Sequence, residues 1–443
     1  MKITSSYQVK LMDHQDMLSD TVKIYREAVA FLIDAANKEW DNLASAYAKG
    51  PNLARAILEG MVHATKTHPS PKYDFDSRFY KFPSYFRRAA LSAAIGAVSS
   101  YRSSLKNWEA NGKKGKQPTL TYERNVMPTF FNRNMSNSKK MLIGEQDTVL
   151  LKLYCNKDWV FVPICCRHQD VKYLAKWWIS VTASAPTLEV RRRKGRSNVY
   201  CLRYAFTESR DLSLRDTPLE QRTILAVDLG INNDAVCSVM HADGTVMARK
   251  FINFPREKDR LQHTLNRIKR LQGEHGRTGG KHEWEKARRI NDQLACLIAD
   301  AIVSAACEYG VNVIVFEHLN MSGKIRGRKK QRLHLWRKND IQKMVEHKAH
   351  RNLIRISRVC AWGTSKFAFD GSGEVQRDEN NHSLCTFTTG KRYHCDLSAS
   401  YNIGARYFLR EMCSLTPKVM EMLPKTSQRT YADLRNINAH SAA

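Results

Sequence analysis

The chain lacks any run of about 18 consecutive apolar residues, and its opening, MKITSSYQVKLMDHQD, lacks an apolar signal core. Neither a membrane-spanning helix nor a secretory leader is therefore expected. The most apolar helix-like run, AALSAAIGAVSSY, is rich in small residues and too short to span. Acids are in deficit: 43 Asp and Glu stand against 72 Lys and Arg, a net charge of +29. Such an excess points to a polyanion, nucleic acid first, rather than to a small metabolite. A disulfide framework is also missing, because 11 cysteines, an odd number, are scattered through 443 residues. The thiols are expected to be reduced and the compartment cytoplasmic. Cys165, Cys201, Cys237, Cys296 and Cys307 sit in apolar runs and read as small core residues. No repeat of fixed period is evident.

What is present reads as two to three domains, roughly, from length alone. Residues 3–11 alternate like a strand, and 18–65 then show helical spacing, with Val22, Tyr25, Ala28, Phe31, Leu32 and Ala35 on one face. A second helical block runs from about Pro83 to Trp108 and ends in the breaker cluster ANGKKGKQP. Between 120 and 210 lie the β-type runs TVLLKLY, WVFVPICC, KWWISVTA and VYCLRYAF. The tip VRRRKGRS, with Arg191, Arg192, Arg193 and Lys194, is either a solvated hairpin loop or a phosphate contact. From 222 onward the order is TILAVDL, AVCSVM, VMARKFI, long charged helices, VNVIVFEHL, a helix, LIRISRVC, an irregular stretch, and a helix from about Ser398. Three meandering strands followed by strand and helix alternation make an α/β pattern with a mixed sheet. The tail beyond 415 is polar and uninformative.

Three acids stand where acids are costly. Asp228 closes the apolar run in ILAVDLGINND, Glu317 ends VNVIVFEHL, and Asp396 opens the helix in YHCDLSASYNIGARYF. A charge at the end of a buried strand is unfavourable unless something pairs with it. Singly, each reads as a strand-end or helix-cap acid facing solvent. Together, if the fold brings them to one place, they make an oxygen-only site suited to Mg²⁺. Two such ions about 3.5–4 Å apart would activate a water and stabilise the leaving oxygen in phosphodiester hydrolysis.

DLGINNDAV, VIVFEHLN and DLSASYNIGAR, in that order, resemble the three RuvC motifs of the transposon-encoded TnpB nucleases and of the compact type V CRISPR effectors. KIRGRKKQRLHLWRKNDIQKMVEHKA resembles that family's connector and Trp-containing helix, and SSLKNWEANGKKGKQP the end of its recognition lobe. The resemblance implies an α/β chain with an RNase H-like (RuvC) lobe, 222–355 with 396–412, and an N-terminal lobe. In that lobe a β-barrel-like wedge, 1–14 with 116–218, would carry an inserted helical recognition domain, 15–115, leaving 413–443 as a tail. Asp228, Glu317 and Asp396 fall on the family's catalytic and Mg²⁺-binding acids. The implied function is RNA-guided cleavage of DNA next to a short flanking motif, with guide RNA and double-stranded target DNA as partners, no membrane, and a location in the bacterial cytoplasm; the oligomeric state stays open, the monomer slightly favoured. An RNA-guided DNA-binding protein or repressor that no longer cuts is one alternative; a guide-independent transposase or resolvase is another.

The chain departs from the family between the second and third motifs, where most relatives carry a zinc ribbon. GTSKFAFDGSG puts Ala368 and Gly371 near the positions of the first cysteine pair, and in the second pair only Cys385 remains. Cys360, Cys385, Cys395, His382 and His394 match no closed ligand spacing, so zinc is not expected. Instead 356–395 reads as a degenerate, ribbon-like, nucleic-acid-binding insert with Cys360 and Cys395 as core thiols. Leu397 stands where the family often has Arg. Among basic segments, KIRGRKKQR, with Lys324, Arg326, Arg328, Lys329 and Lys330, is the strongest candidate for a nucleic-acid backbone. In 259–274, Leu261, Leu265, Ile268 and Leu271 form an apolar stripe, and the following HGRTGGKHEWEKARR reads as a mobile loop. Tyr80, Tyr85, Phe86 and Trp108 read as core aromatics rather than base-stacking platforms.

Overall fold

The structure, a computed structural model, describes all residues except 66–68, 123–125, 132, 179–180, 194–195, 215–216, 231–232, 277–279, 319–336, 382, 417, 424–427 and 443, and the side chains of 192, 193, 196, 418, 441 and 442. Two compact units result: residues 2–208, and residues 209–443 together with Met1.

In the first unit, strand β1 (Lys2–Lys10) leads into helices α1 (Gln15–Lys38), α2 (Trp40–Lys49) and α3 (Pro51–Val62), followed by α4 (Ser84–Ala110). Pro83 caps α4, where its missing N–H costs nothing. The rest of the unit includes β2 (Met135–Ser136), β3 (Thr148–Cys155), β4 (Asp158–Cys165), helix α5 (His168–Trp178), and strands β5 (Thr182–Ala183), β6 (Thr187–Arg193) and β7 (Arg196–Ser209). One apolar cluster runs from Val9 to Phe206, so helices and sheets share a core. Phe82 and Phe86 both pack against Trp159, with ring centroids 5.3 and 5.4 Å apart.

Two expectations change here. The strands form one sheet containing β1, β7, β5 and β6 and another containing β2, β3 and β4; the isolated bridge Leu11–Cys166 joins the residues that follow β1 and β4, and Thr129 bridges to Thr187 of β6. Among the described residues they do not close into a barrel. KWWISVTA is not one β run either: its first three residues end α5, and only Thr182–Ala183 pair as a strand. Its Trp and Ile suit strands, but Val171, Leu174 and Trp178 are buried at helical spacing. Of the four aromatics, Phe86 is core and Tyr85 and Trp108 are half-buried, whereas Tyr80 is 68% exposed.

The second unit is built on a five-stranded sheet. Strands β8 (Thr223–Asp228), β9 (Ala235–His241) and β10 (Val246–Ile252) form an antiparallel meander; β11 (Val313–His318) and β12 (Arg355–Cys360) run parallel to β8, in the order β10-β9-β8-β11-β12. Helices α6 (Pro255–His275) and α7 (Lys281–Glu308) connect β10 to β11, and α8 (Lys338–Arg351) precedes β12. On one face, Leu225, Val227, Ile314 and Phe316 pack against residues of α7 and α8. On the other, Ile224, Ala226, Val313, Val315 and Val359 pack against helix α9 (Cys395–Leu415) and α10 (Tyr431–Ala442), so the tail contributes to the core. Gly404 permits this approach, since a Cβ there would lie 3.0 Å from Met240 Cε and 3.3 Å from Ala226 Cβ.

By length and composition α7 is apolar enough to cross a membrane, although the sequence has no unbroken apolar run there because Asp300 and Ser304 interrupt it. In the fold it is a core helix covering the sheet. The helix includes most of the segment expected to be a loop: HGRTGGKHEWEKARR is helical from Lys281, and 277–279 lie outside the described residues. The stripe of α6 packs as its spacing predicts, with Leu265 and Ile268 buried against Ala287.

Cys201 and Cys237 are buried, but Cys165, Cys296 and Cys307 are exposed. Alternation along β4 turns Cys165 away from Ile164, and Cys296 and Cys307 lie on the outer face of α7. The insert between β12 and α9 contains the three-stranded sheet β13 (Gln376–Arg377), β14 (Leu384–Thr386) and β15 (Arg392–His394). Its centre is apolar, with Ala368, Cys385, Phe387 and Cys395 buried together. Burial pushes the Cys385 thiol up to about 12, so it packs as a neutral group. Cys360, expected in this core, is exposed instead at the end of β12.

Candidate active site

Register and alternation place two of the acids. Val227 pairs with Phe316 in the parallel ladder of β8 and β11, so Asp228 and Glu317 follow side by side at the carboxyl ends of adjacent strands. Along each strand, alternate residues share a face. Ala226 and Val315 face α9, and therefore so do Asp228 and Glu317. Helix α9 begins at that same end, with Asp396 in its first turn.

The turn after β8 joins the third acid to the first. Asn233 Nδ2 donates to Asp396 Oδ2 at 3.2 Å, and a Cβ on Gly230 would lie 3.7 Å from that oxygen. The same Cβ would meet the Asn233 carbonyl oxygen at 2.7 Å, so the turn requires glycine. Asn233 Nδ2 also lies 3.3 Å from His394 Nε2, and the His394 ring stands edge-on to Phe251. Asp228 and Asp396 are half-buried and Glu317 is 9% exposed.

Asp228 lies in the field of the other two acids. Burial holds the Asp228 carboxyl well above the usual carboxylate range, and the charges of Glu317 and Asp396 push it further; Arg377 on β13 opposes them. Burial also raises Glu317, countered by a hydrogen bond from Thr364 and by the charges of Arg406 and Lys338. Gln342 Nε2 donates to the Glu317 carbonyl at 3.1 Å, which fixes the strand end from α8.

Among the described residues, no group of three or more His, Cys, Asp or Glu side chains is placed to hold a metal ion. Mg²⁺ takes one or two carboxylates and keeps waters or phosphate oxygens in its other positions, and carboxylates are the donors at these strand ends. The all-oxygen donors, and the charges of Glu317 and Asp396 acting on Asp228, fit a divalent cation.

The basic candidates divide differently. Arg191 is exposed on β6 and lines a cleft of about 370 Å³ with Lys10, Arg167 and Arg203, none of which the motifs had singled out. Two of these cations are committed to acids, Arg167 to Asp170 and Arg203 to Glu189. Arg192 and Arg193 lie on β6 next to it, their side chains outside the described set. Lys194, Lys324, Arg326, Arg328, Lys329 and Lys330 lie outside the described residues, as does His382. Sequence reasoning also missed Thr364, Lys338, Arg377 and Arg406 around the acids. Asn233, Lys338, Thr364 and Arg406 lie within the quoted segments DLGINND, KIRGRKKQRLHLWRKNDIQKMVEHKA, GTSKFAFDGSG and DLSASYNIGAR, but nothing in those segments singled them out, and Arg377 lies in none.

Residues 3–155 match the model of the Aq_aa04 family. Over 161 residues the chain is 27% identical to the uncharacterized protein aq_aa04 of Aquifex aeolicus (strain VF5), covering 34% of this chain and 84% of that protein. Among solved structures, the mini-RNA-guided endonuclease CRISPR-Cas_phi3 matches with a TM-score of 0.51 and 10% identity, over 92% of both chains. The fold is shared. A Cas12f1–sgRNA–target DNA complex matches over 99% of both chains, at a TM-score of 0.45 and 12% identity. The second unit has the mixed α/β sheet that the order of strands and helices led one to expect.

Proposed function

We propose that this protein is an RNA-guided DNA endonuclease of the TnpB and compact type V class, cutting DNA with Asp228, Glu317 and Asp396. The carrying observation is the delivery of these three acids to one face and one end of the sheet by β8, β11 and α9. Bound Mg²⁺ would supply the activated water and the charge stabilisation of phosphodiester hydrolysis. The chain's own part is to hold the ligands. Asn233 orients Asp396, Gln342 anchors the backbone of Glu317, and Lys338 and Arg406 reduce the cost of its charge. Arg377, exposed on the insert, carries its charge close enough to influence Asp228 and stands ready to meet a phosphate.

Guide RNA and target DNA are the proposed partners. The net charge of +29 supports a polyanion held by shape and charge, with base pairing choosing the sequence and the protein reading a short flanking motif. The test is to purify the protein from cells, sequence the bound RNA, and assay matched DNA in Mg²⁺ for the parent and for Asp228→Ala. Bound RNA and cutting by the parent alone are expected. Cutting by Asp228→Ala would overturn the site, and cutting without bound RNA would overturn the guided mechanism in favour of a guide-independent nuclease. Matched binding without cutting by the parent would leave an RNA-guided binding protein.

A further inference from the structure

The loop between β12 and the insert is tied down from two sides, and its fixed point is a hydroxyl on a carboxylate. Thr364, 2% exposed, donates its hydroxyl to Glu317 Oε1 and stands 3.0 Å from the Ala361 carbonyl oxygen. The backbone turns at Gly363, where φ is +74° and a Cβ would lie 2.7 Å from the Phe367 ring. Helix α9 grips the loop through two residues one turn apart. Asn402 Nδ2 donates to the carbonyls of Thr364 at 3.0 Å and Phe367 at 2.9 Å. Arg406 Nη1 donates to those of Cys360 and Trp362, both at 2.7 Å. Asn402 is fully buried and Arg406 is 9% exposed. The helix that delivers Asp396 therefore also fixes the loop that holds Glu317.

We propose that Thr364 is a positioning residue, whose hydroxyl sets the orientation of the Glu317 carboxylate for binding a divalent cation; this rests on the Mg²⁺ reading above. A glutamate has three rotatable side-chain bonds, and a metal ligand must be held in one arrangement by an outer partner if affinity is to be high. A hydrogen bond to a charged oxygen in a buried site supplies that restraint. Asn402 and Arg406 act one step further out, through the backbone of the loop.

The test compares the full-length parent with Thr364→Val, which keeps the shape, and Thr364→Ser, which keeps the hydroxyl. Mn²⁺ binding is read by calorimetry, and the Mg²⁺ concentration for half-maximal DNA cleavage is read separately. Thr364→Val is expected to weaken both by about 10- to 100-fold, with cleavage recovering at high Mg²⁺, while Thr364→Ser stays within about threefold of the parent. Parent-like Mn²⁺ affinity in Thr364→Val would overturn the proposal, as would a Thr364→Ser variant as weak as the valine variant. Glu317→Gln separates the two levels of the argument. If it also leaves Mn²⁺ binding unchanged, the metal site itself is wrong; if it abolishes binding that Thr364→Val leaves intact, only the role of Thr364 fails.

Discussion

Asp228 is held against its own preference: burial and two neighbouring carboxylates disfavour its charge. In a protein without added metal, Asp228→Asn should therefore raise stability by about 0.5–2 kcal/mol while abolishing cleavage, a trade between stability and activity common at functional sites. Thermal melting in EDTA alongside the cleavage assay checks both halves, and an unchanged melting temperature would argue against a strained site. Glu39 shows the opposite balance. Lys72, Tyr73 and Asn42 hydrogen-bond its carboxylate and hold its pKa down to about 2. As pH falls from about 4.5, the unfolded chain takes up this proton first, so the stabilisation present above that pH is lost as pH approaches 2. Glu39→Gln should cost about 1–2 kcal/mol at neutral pH, and the gap in urea midpoints between it and the parent should narrow on acidification. Residues of this kind were hard to find in the sequence. Glu39 and Lys72 are 33 apart, and Thr364 and Glu317 are 47 apart; neither spacing marks a contact until the chain has folded.

Helix α9 is the element on which the site depends. It packs through Gly404 onto β8 and β9, pairs Ser400 with Ser238, and starts with Asp396. Adding a branched side chain at Gly404 would push it off the sheet. Gly404→Val is expected to cost about 1–3 kcal/mol and to reduce cleavage more than the loss of folded protein explains, because the displacement reaches Asp396. Denaturant melts paired with activity per folded molecule test this, and a proportionate loss of both would show that the helix register is not transmitted to the site. The strands of this unit were legible because buried parallel strands read as unbroken apolar runs, as in ILAVD and VIVF. Helix α5 was not, because Trp and Ile obscured a helical period that its buried Val171, Leu174 and Trp178 reveal. The exposed cysteines failed for a related reason: an apolar neighbourhood in sequence does not say which face a residue takes.

For the whole molecule, a charge of +29 predicts that association with nucleic acid will depend steeply on salt. If six to ten phosphates are contacted, affinity for a guide-length RNA should fall by about 10³–10⁵ between 50 and 200 mM salt; fluorescence anisotropy at the two concentrations measures it, and a flat response would argue against backbone recognition. Composition, the order of apolar runs and the three acidic motifs were enough to specify a basic α/β protein with a mixed sheet and to name Asp228, Glu317 and Asp396, because strand burial and charge leave local signatures. Their placement at one end and on one face of the sheet was decided only by tertiary structure. A parallel ladder sets β8 beside β11, and α9 lies on the face to which both acids point. Thr364, Asn233, Lys338 and Arg406 entered by the same route. Their importance comes from distance in space to a buried carboxylate, a quantity that no local stretch of sequence contains.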